Sequence, residues 1–305
     1  MPHPPTLART HTRLAGTALV VLSGAAFGTM PIMAKVAYHA GAEPFALLAV
    51  RFTVGAALLA LIRVRTQPGM PWPRGRTLAA LFALGAVGYV VESAAYFLAL
   101  EHLPAALVAI LLYLYPAIVV LLAVVFLGQR PSWLVAGCLV LAVAGSALTV
   151  GPVRGTVSTL GVGLGVFAAT SYAVYIVLSA SVVPRVGALT SITVVAAGAA
   201  VTYDVLALAT GSALPRDGGG WLAAFGVAVF GTVIAMLAFF AGLARLGPAD
   251  SSVLSTVEPV VTAGLGVLVL HEGLSVVQVT GAGLVLATVA VLARSQSTGA
   301  SHPVD

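Results

Sequence analysis

Charge is what this chain has least of. Lysine, arginine, aspartate and glutamate make up 8% of its 305 residues, against about 25% in a soluble domain. That scarcity excludes an ordinary water-soluble globular protein. It also excludes disorder, which needs the opposite balance of charged and apolar residues. A single cysteine, Cys138, excludes a disulfide framework and a thiolate metal cluster. The six histidines are scattered, with no two at metal-ligand spacing, and lysine occurs once, as Lys35. What is present is apolar: 60% of residues are hydrophobic and the mean hydropathy is +1.09. This is the composition of a polytopic membrane protein. The net charge of +5 fits arginines in loops rather than a nucleic-acid partner.

A helix needs about 20 apolar residues to cross ~30 Å of hydrocarbon. Ten such runs are found, near 14–37, 44–63, 78–100, 103–127, 132–150, 158–181, 189–210, 220–243, 248–270 and 275–293. Residues 1–13 and 295–305 are expected to be short cytoplasmic tails. The first run has Arg9 and Arg13 ahead of it and a small-residue stretch at Ser23–Ala26. It continues past that stretch, too far for a signal peptide, and is read as a retained span. If the N-terminus is cytoplasmic, the inside segments hold Arg9, Arg13, Arg63, Arg65, Arg74, Arg76, Arg130, Arg185, Arg245 and Arg294. The outside loops then hold only Arg154 and Arg216. Such a bias predicts both termini inside and an even number of spans.

The chain repeats itself. Residues 78–130 align without a gap on 221–273, with 14 of 53 positions identical. Matched pairs include Phe82/Phe225, Gly88/Gly231, Phe97/Phe240 and Pro116/Pro259, with Tyr96/Phe239 a near match. Each half (14–150 and 158–293) holds five spans, and an odd number inserts the second half upside down. Inverted repeats are a mark of secondary transporters.

The chain resembles the EamA-type branch of the drug/metabolite transporter superfamily over nearly its whole length. The resemblance rests on Arg51-Phe52, on Ala99–Ala106, on Tyr115-Pro116-Ala117-Ile118 and on Leu127-Gly128-Gln129-Arg130. In the second half it rests on Val257-Glu258-Pro259-Val260 and Leu270-His271-Glu272-Gly273-Leu274. A Gly-Glu pair usual in the family reads Gly128-Gln129 and His271-Glu272, one member kept in each half. The resemblance implies an all-α inner-membrane transporter with ten transmembrane helices around a central cavity. It further implies export of amino acids or other small metabolites, without a cofactor.

Ionisable residues inside spans are costly and need a reason. Five are read as such: Lys35, Arg51, Glu92, Asp204 and Glu258, with none in the inner half. Lys35 fits snorkelling to the outer interface. Arg51 is either a structural lock on carbonyls or a carboxylate, or an anchor for a substrate carboxylate. Glu92 is its expected ion-pair partner at similar depth, and Asp204 competes. Tyr89, Glu92 and Tyr96 share one helical face. Tyr172 and Tyr175, with Ser171 and Ser179, form another in the sixth span. Ser251, Ser255, Glu258 and Thr262 form a third in the ninth, near the midplane. Each face either lines a cavity or makes helix–helix contacts. Glu258 suits a proton site if protons are the coupling ion.

Pro31, Pro116 and Pro259 interrupt spans and are candidate hinges or packing kinks. Gly161, Gly163 and Gly165 open a membrane helix with no strand before them, so they are packing glycines rather than a phosphate loop. ATP-driven transport within this chain is thereby excluded. A catalytic constellation is likewise missing from the sequence: Glu101-His102 and His271-Glu272 are adjacent and point different ways on a helix. The expected function is therefore secondary transport of a small polar molecule in a lipid setting, and a homodimer is compatible with it. Lipophilic cations and nucleotide-linked sugars are the alternative cargoes. A receptor or an embedded enzyme is the alternative class.

Overall fold

In hydrocarbon a backbone must satisfy its own N–H and C=O groups, so apolar runs become helices. The structure, a computed structural model, describes residues 6–103, 105–129, 131–151, 158–270 and 273–297. Among them are helices and connections but no strand.

The first half comprises five spans. They are α1 (Thr6–Gly28 and Met30–His39), α2 (Pro44–Thr66), α3 (Gly75–Ala83, Leu84–Tyr89 and Val90–His102), α4 (Ala105–Leu112 and Tyr115–Leu127) and α5 (Trp133–Val150). The second half has α6 (Thr159–Val186), α7 (Ala188–Thr210), α8 (Gly218–Gly226, Val227–Ile234 and Ala235–Leu246), α9 (Pro248–Leu254, Ser255–Val257 and Glu258–Leu270) and α10 (Val276–Ser297). All ten are long and apolar enough to cross a membrane. The helix of α1 is described from Thr6 onward, and its candidate span begins at His11. With ten spans, both termini lie on one side, the terminal side.

Each interruption has a local cause. Pro31, Pro116 and Pro259 are each the second residue of a new helical segment, where a missing N–H costs nothing. The middle segments of α3 and α8, Leu84–Tyr89 and Val227–Ile234, are π-helical. They stand at matching places of the repeat, since 84 + 143 = 227. A π turn is a wide turn, frequent at functional sites.

The strongest helix pairings are α2 on α7, α5 on α10, α1 on α8 and α3 on α6. The first two pair a span with its own counterpart, and the last two are counterparts of each other. Small residues let backbones meet. A Cβ on Gly85 of α3 would run into the Val195 carbonyl of α7, and one on Gly198 into the Phe82 carbonyl. A Cβ on Gly281 of α10 would meet the Gly145 carbonyl of α5 at 2.7 Å. The main core gathers Phe52, Leu59, Leu81, Tyr115, Tyr175, Ile192, Phe239 and Phe240.

Candidate functional site

Arg51 enters the core from α2 and is 2% exposed. Its Nε donates to Thr232 Oγ1 at 3.1 Å and its Nη2 to the Gly231 carbonyl at 3.2 Å. Both acceptors belong to the π turn of α8. The guanidinium also lies over the Phe52 ring at 4.7 Å and the Tyr89 ring at 5.6 Å. The expected ion pair with Glu92 or Asp204 does not form. Among the described residues the one ion pair is Arg13–Asp250, at 2.7 Å. The reason is local: the wide turn of α8 offers a carbonyl and a hydroxyl at the depth where the guanidinium arrives. Asp204 instead accepts from Thr53 Oγ1 at 2.9–3.0 Å. Thr53 is exposed, two residues from Arg51 on another face of α2, so this pair faces away from the core.

Glu92 on α3 lies in the field of Arg51 and of Glu258, and Glu258 on α9 in that of Arg51. Neither carboxyl forms a hydrogen bond or ion pair with a described residue. Glu92 is buried and Glu258 half-buried. The wide walls around them are aromatic. Phe52 stacks on Tyr203 at 5.6 Å and meets Tyr89 edge-on at 5.1 Å. Tyr89 meets Tyr175 at 5.9 Å, Tyr175 stacks on Tyr172 at 6.2 Å, and Tyr172 meets Tyr115 at 4.7 Å. Ser93 hydrogen-bonds the Tyr203 hydroxyl and thereby ties α3 to α7. Tyr96, Tyr113, Tyr115 and Tyr172 all feel the Glu258 charge.

The structure thus brings together Arg51, Tyr89, Glu92, Tyr172, Tyr175 and Glu258 in one polar and aromatic cluster. Tyr96 stands at its edge, half-buried, and Ser255 is buried with its hydroxyl bonded to the Ser251 carbonyl at 2.8 Å. Asp204 stands apart from it, and Lys35 is exposed near the far end of α1. Thr262, on the Glu258 face, donates to the Gly28 carbonyl at the break of α1, 3.1 Å away. His271, Glu272, Pro104, Arg130 and Arg154 lie outside the described residues.

Sequence reasoning missed several partners. Gly231 was visible only as a repeat match, and Thr232 carried no signal. The half of the bundle on the terminal side, expected to be free of charge, is not. Asp250 is buried near the start of α9, where Arg13 of α1 reaches it. Arg63 is 2% exposed, donates to Thr190 Oγ1 at 2.8 Å and to the Met70 and Pro71 carbonyls, and lies 3.7 Å from the centre of the Trp72 ring. It pins the proline-rich loop to α2 and α7.

The two ends of the bundle are packed unevenly around this cluster. On the terminal side α4 and α9 pack together through Tyr115–Leu127 and Pro248–Leu254. Among the described residues their opposite halves, Ala105–Leu112 and Glu258–Leu270, have no comparable packing on each other. Every residue from Pro248 to Val257 is buried, whereas most of the matching residues described in α4, from Leu107 to Leu114, are only half-buried.

Ten spans, a doubled half and an enclosed polar cluster form a pattern that can be compared with known proteins. The profile of the EamA-like transporter family matches residues 14–151 and again 159–294. The chain belongs to the EamA-like transporter family. Two curated relatives agree. An uncharacterized transporter, YcbK, of Bacillus subtilis (strain 168) is 28% identical over 283 residues, covering 88% of this chain and 89% of that one. An uncharacterized transporter of Archaeoglobus fulgidus is 26% identical over 284 residues, covering 92% and 96%. A solved crystal structure superposes with a TM-score of 0.80 at 21% identity, over 95% of this chain and all of the other, which shows a shared fold. The EamA-like chain is therefore a multi-pass membrane protein, and its family points to transport rather than catalysis.

Proposed function

We propose that this EamA-like protein is a secondary transporter that exports amino acids or related small polar metabolites across the cytoplasmic membrane. The observation that carries this reading is the pair Glu92 and Glu258. Two carboxyl groups without a protein hydrogen-bond partner stand beside one guanidinium inside aromatic walls. A carboxylate held in so apolar a setting without a protein donor favours a cation beside it, and an ammonium group brings the missing donors. Arg51, beside them, complements a cargo carboxylate. Two acids against one base match a zwitterion with some excess affinity for its cationic end. Cation–π contact with the tyrosines adds to that preference.

Transport proceeds on this reading by alternating access, with the two inverted five-span halves exchanging conformations around the cluster. The termini face the cytoplasm, as the arginine bias favours. Pro31, Pro116 and Pro259 are the hinges, since each opens a new helical segment beside the cluster. Glu258 carries the coupling proton, because its access to water changes with the side that is open.

A second reading, lipophilic cations as cargo, is favoured by the same surplus of acid and by the aromatic walls. Purified protein in liposomes separates the two. Counterflow of labelled leucine and phenylalanine is expected, with loss in Arg51→Ala. Uptake of tetraphenylphosphonium without any amino acid movement supports the second reading and removes the first.

A further inference from the structure

The repeat gives every gate residue a counterpart, and the two counterparts differ in this structure. The last segment of α8, Ala235–Leu246, packs on both α6 and α7 besides its partner α1. Its counterpart in α3, Val90–His102, packs on α6 and lightly on α7, and among the described residues makes no comparable contact with α1 or α2. The extra contact of α8 is aromatic and dry. Met236, Phe239, Phe240 and Leu243 are all 4% exposed or less and join the main core with Tyr175, Ile176 and Val183 of α6. Phe240 lies 6.3 Å from Tyr175. It stands nine residues beyond Gly231, the contact of Arg51, so about 13 Å further toward the terminal side along the helix. The counterpart of Phe239 is Tyr96, since 96 + 143 = 239. Tyr96 is half-buried and sits with Ala99, Leu103 and Val108 in a small separate cluster.

We propose that Phe239 and Phe240 form the gate that seals the terminal side of the cluster, and that Tyr96 is the gate residue for the opposite side, held open in this conformation. The proposal rests on the alternating-access reading above. The plug is apolar because it must form and dissolve in each cycle. Its parts separate without stranding a charge, in contrast to the Arg13–Asp250 pair, which joins α1 to α9. The two gates act on opposite states. Weakening Phe240 destabilises the state closed on the terminal side, and weakening Tyr96 destabilises the state closed on the other.

The test is thiol labelling in a Cys138→Ala background. Ser179→Cys serves as reporter, because Ser179 is 0% exposed and lies one turn beyond Tyr175 on α6, toward the terminal side. A membrane-impermeant maleimide is applied from the terminal side. Phe240→Ala is expected to speed labelling about tenfold, equivalent to ~1.4 kcal/mol of population shift. Tyr96→Ala is expected to slow it several-fold. Phe240→Leu, which keeps an apolar side chain, should fall between parent and Phe240→Ala and guards against a folding defect. Both alanine variants labelling faster would mean general loosening and would overturn the gate assignment. Neither variant moving a parent that does label overturns it as well, while leaving alternating access standing. A reporter that never labels in any variant, although labelled leucine is transported, removes the alternating-access reading and the gate with it.

Discussion

Replacing Arg51 tests the site most directly, because its two bonds predict graded losses. Arg51→Lys keeps the charge, but an ammonium on a flexible stem does not span Thr232 Oγ1 and the Gly231 carbonyl as a planar fork does. One hydrogen bond to a charged group is lost, a cost of about 1.5–3 kcal/mol. Arg51→Met loses both and leaves the carbonyl and hydroxyl of the π turn without a donor, so about 4 kcal/mol is expected. It also removes the cation that faces Glu92 and Glu258. Thr232→Val removes the acceptor of Nε and leaves a buried charged donor unpaired, so it too should cost about 1.5–3 kcal/mol. The decisive variant is the exchange Arg51→Glu with Glu92→Arg. A carboxylate at position 51 would face the Gly231 carbonyl, so the exchange should be no more stable than Arg51→Glu alone. Thermal unfolding in detergent should place the parent first, Thr232→Val and Arg51→Lys together below it, and Arg51→Met last. An exchanged protein as stable as the parent would refute the reasoning, since Glu92 and not the wide turn would then be the partner of Arg51.

Three further outcomes are expected. Glu258→Gln should retain the fold and flatten the dependence of liposome uptake on external pH; an unchanged profile removes Glu258 from coupling. Gly85→Ala drives a methyl into the Val195 carbonyl and should cost about 3 kcal/mol, whereas Gly163→Ala, with open space around it, should gain about 0.5–1 kcal/mol; equal melting temperatures for the two would contradict the close α3–α7 contact. Arg63→Ala frees the Met70 and Pro71 carbonyls, so limited proteolysis should cut within 67–73 at least severalfold faster, and resistance equal to that of the parent would show that Trp72 and the prolines hold the loop unaided.

The spans were legible because a bilayer imposes one rule on every residue within it, and long apolar runs such as Leu107–Leu127 obey no other reading. The residues of the cluster were largely legible too. Arg51, Glu92 and Glu258 stand out because charge is so rare in this chain, and the tyrosines fell on their faces by helical spacing. What sequence did not carry was pairing. Depth along a helix is read from residue number, but rotation and neighbours are not, so Arg51 was matched with the acids at its level rather than with a carbonyl. A carbonyl is present at every position and marks none. Asp250 was overlooked for a related reason: three residues into a span looks like a surface, yet here the start of α9 lies under α1. The π turns had no signature, since their residues, Leu84–Tyr89 and Val227–Ile234, are ordinary for a membrane helix.

Those two wide turns do unlike work from like places. They begin at matching positions of the repeat, Leu84 and Val227. The one in α8 hands a carbonyl and a hydroxyl to a guanidinium. The one in α3 lies directly on the backbone of α7, where a single added methyl has no room. The halves are therefore not interchangeable: one bend anchors charge, and the other is a tight joint.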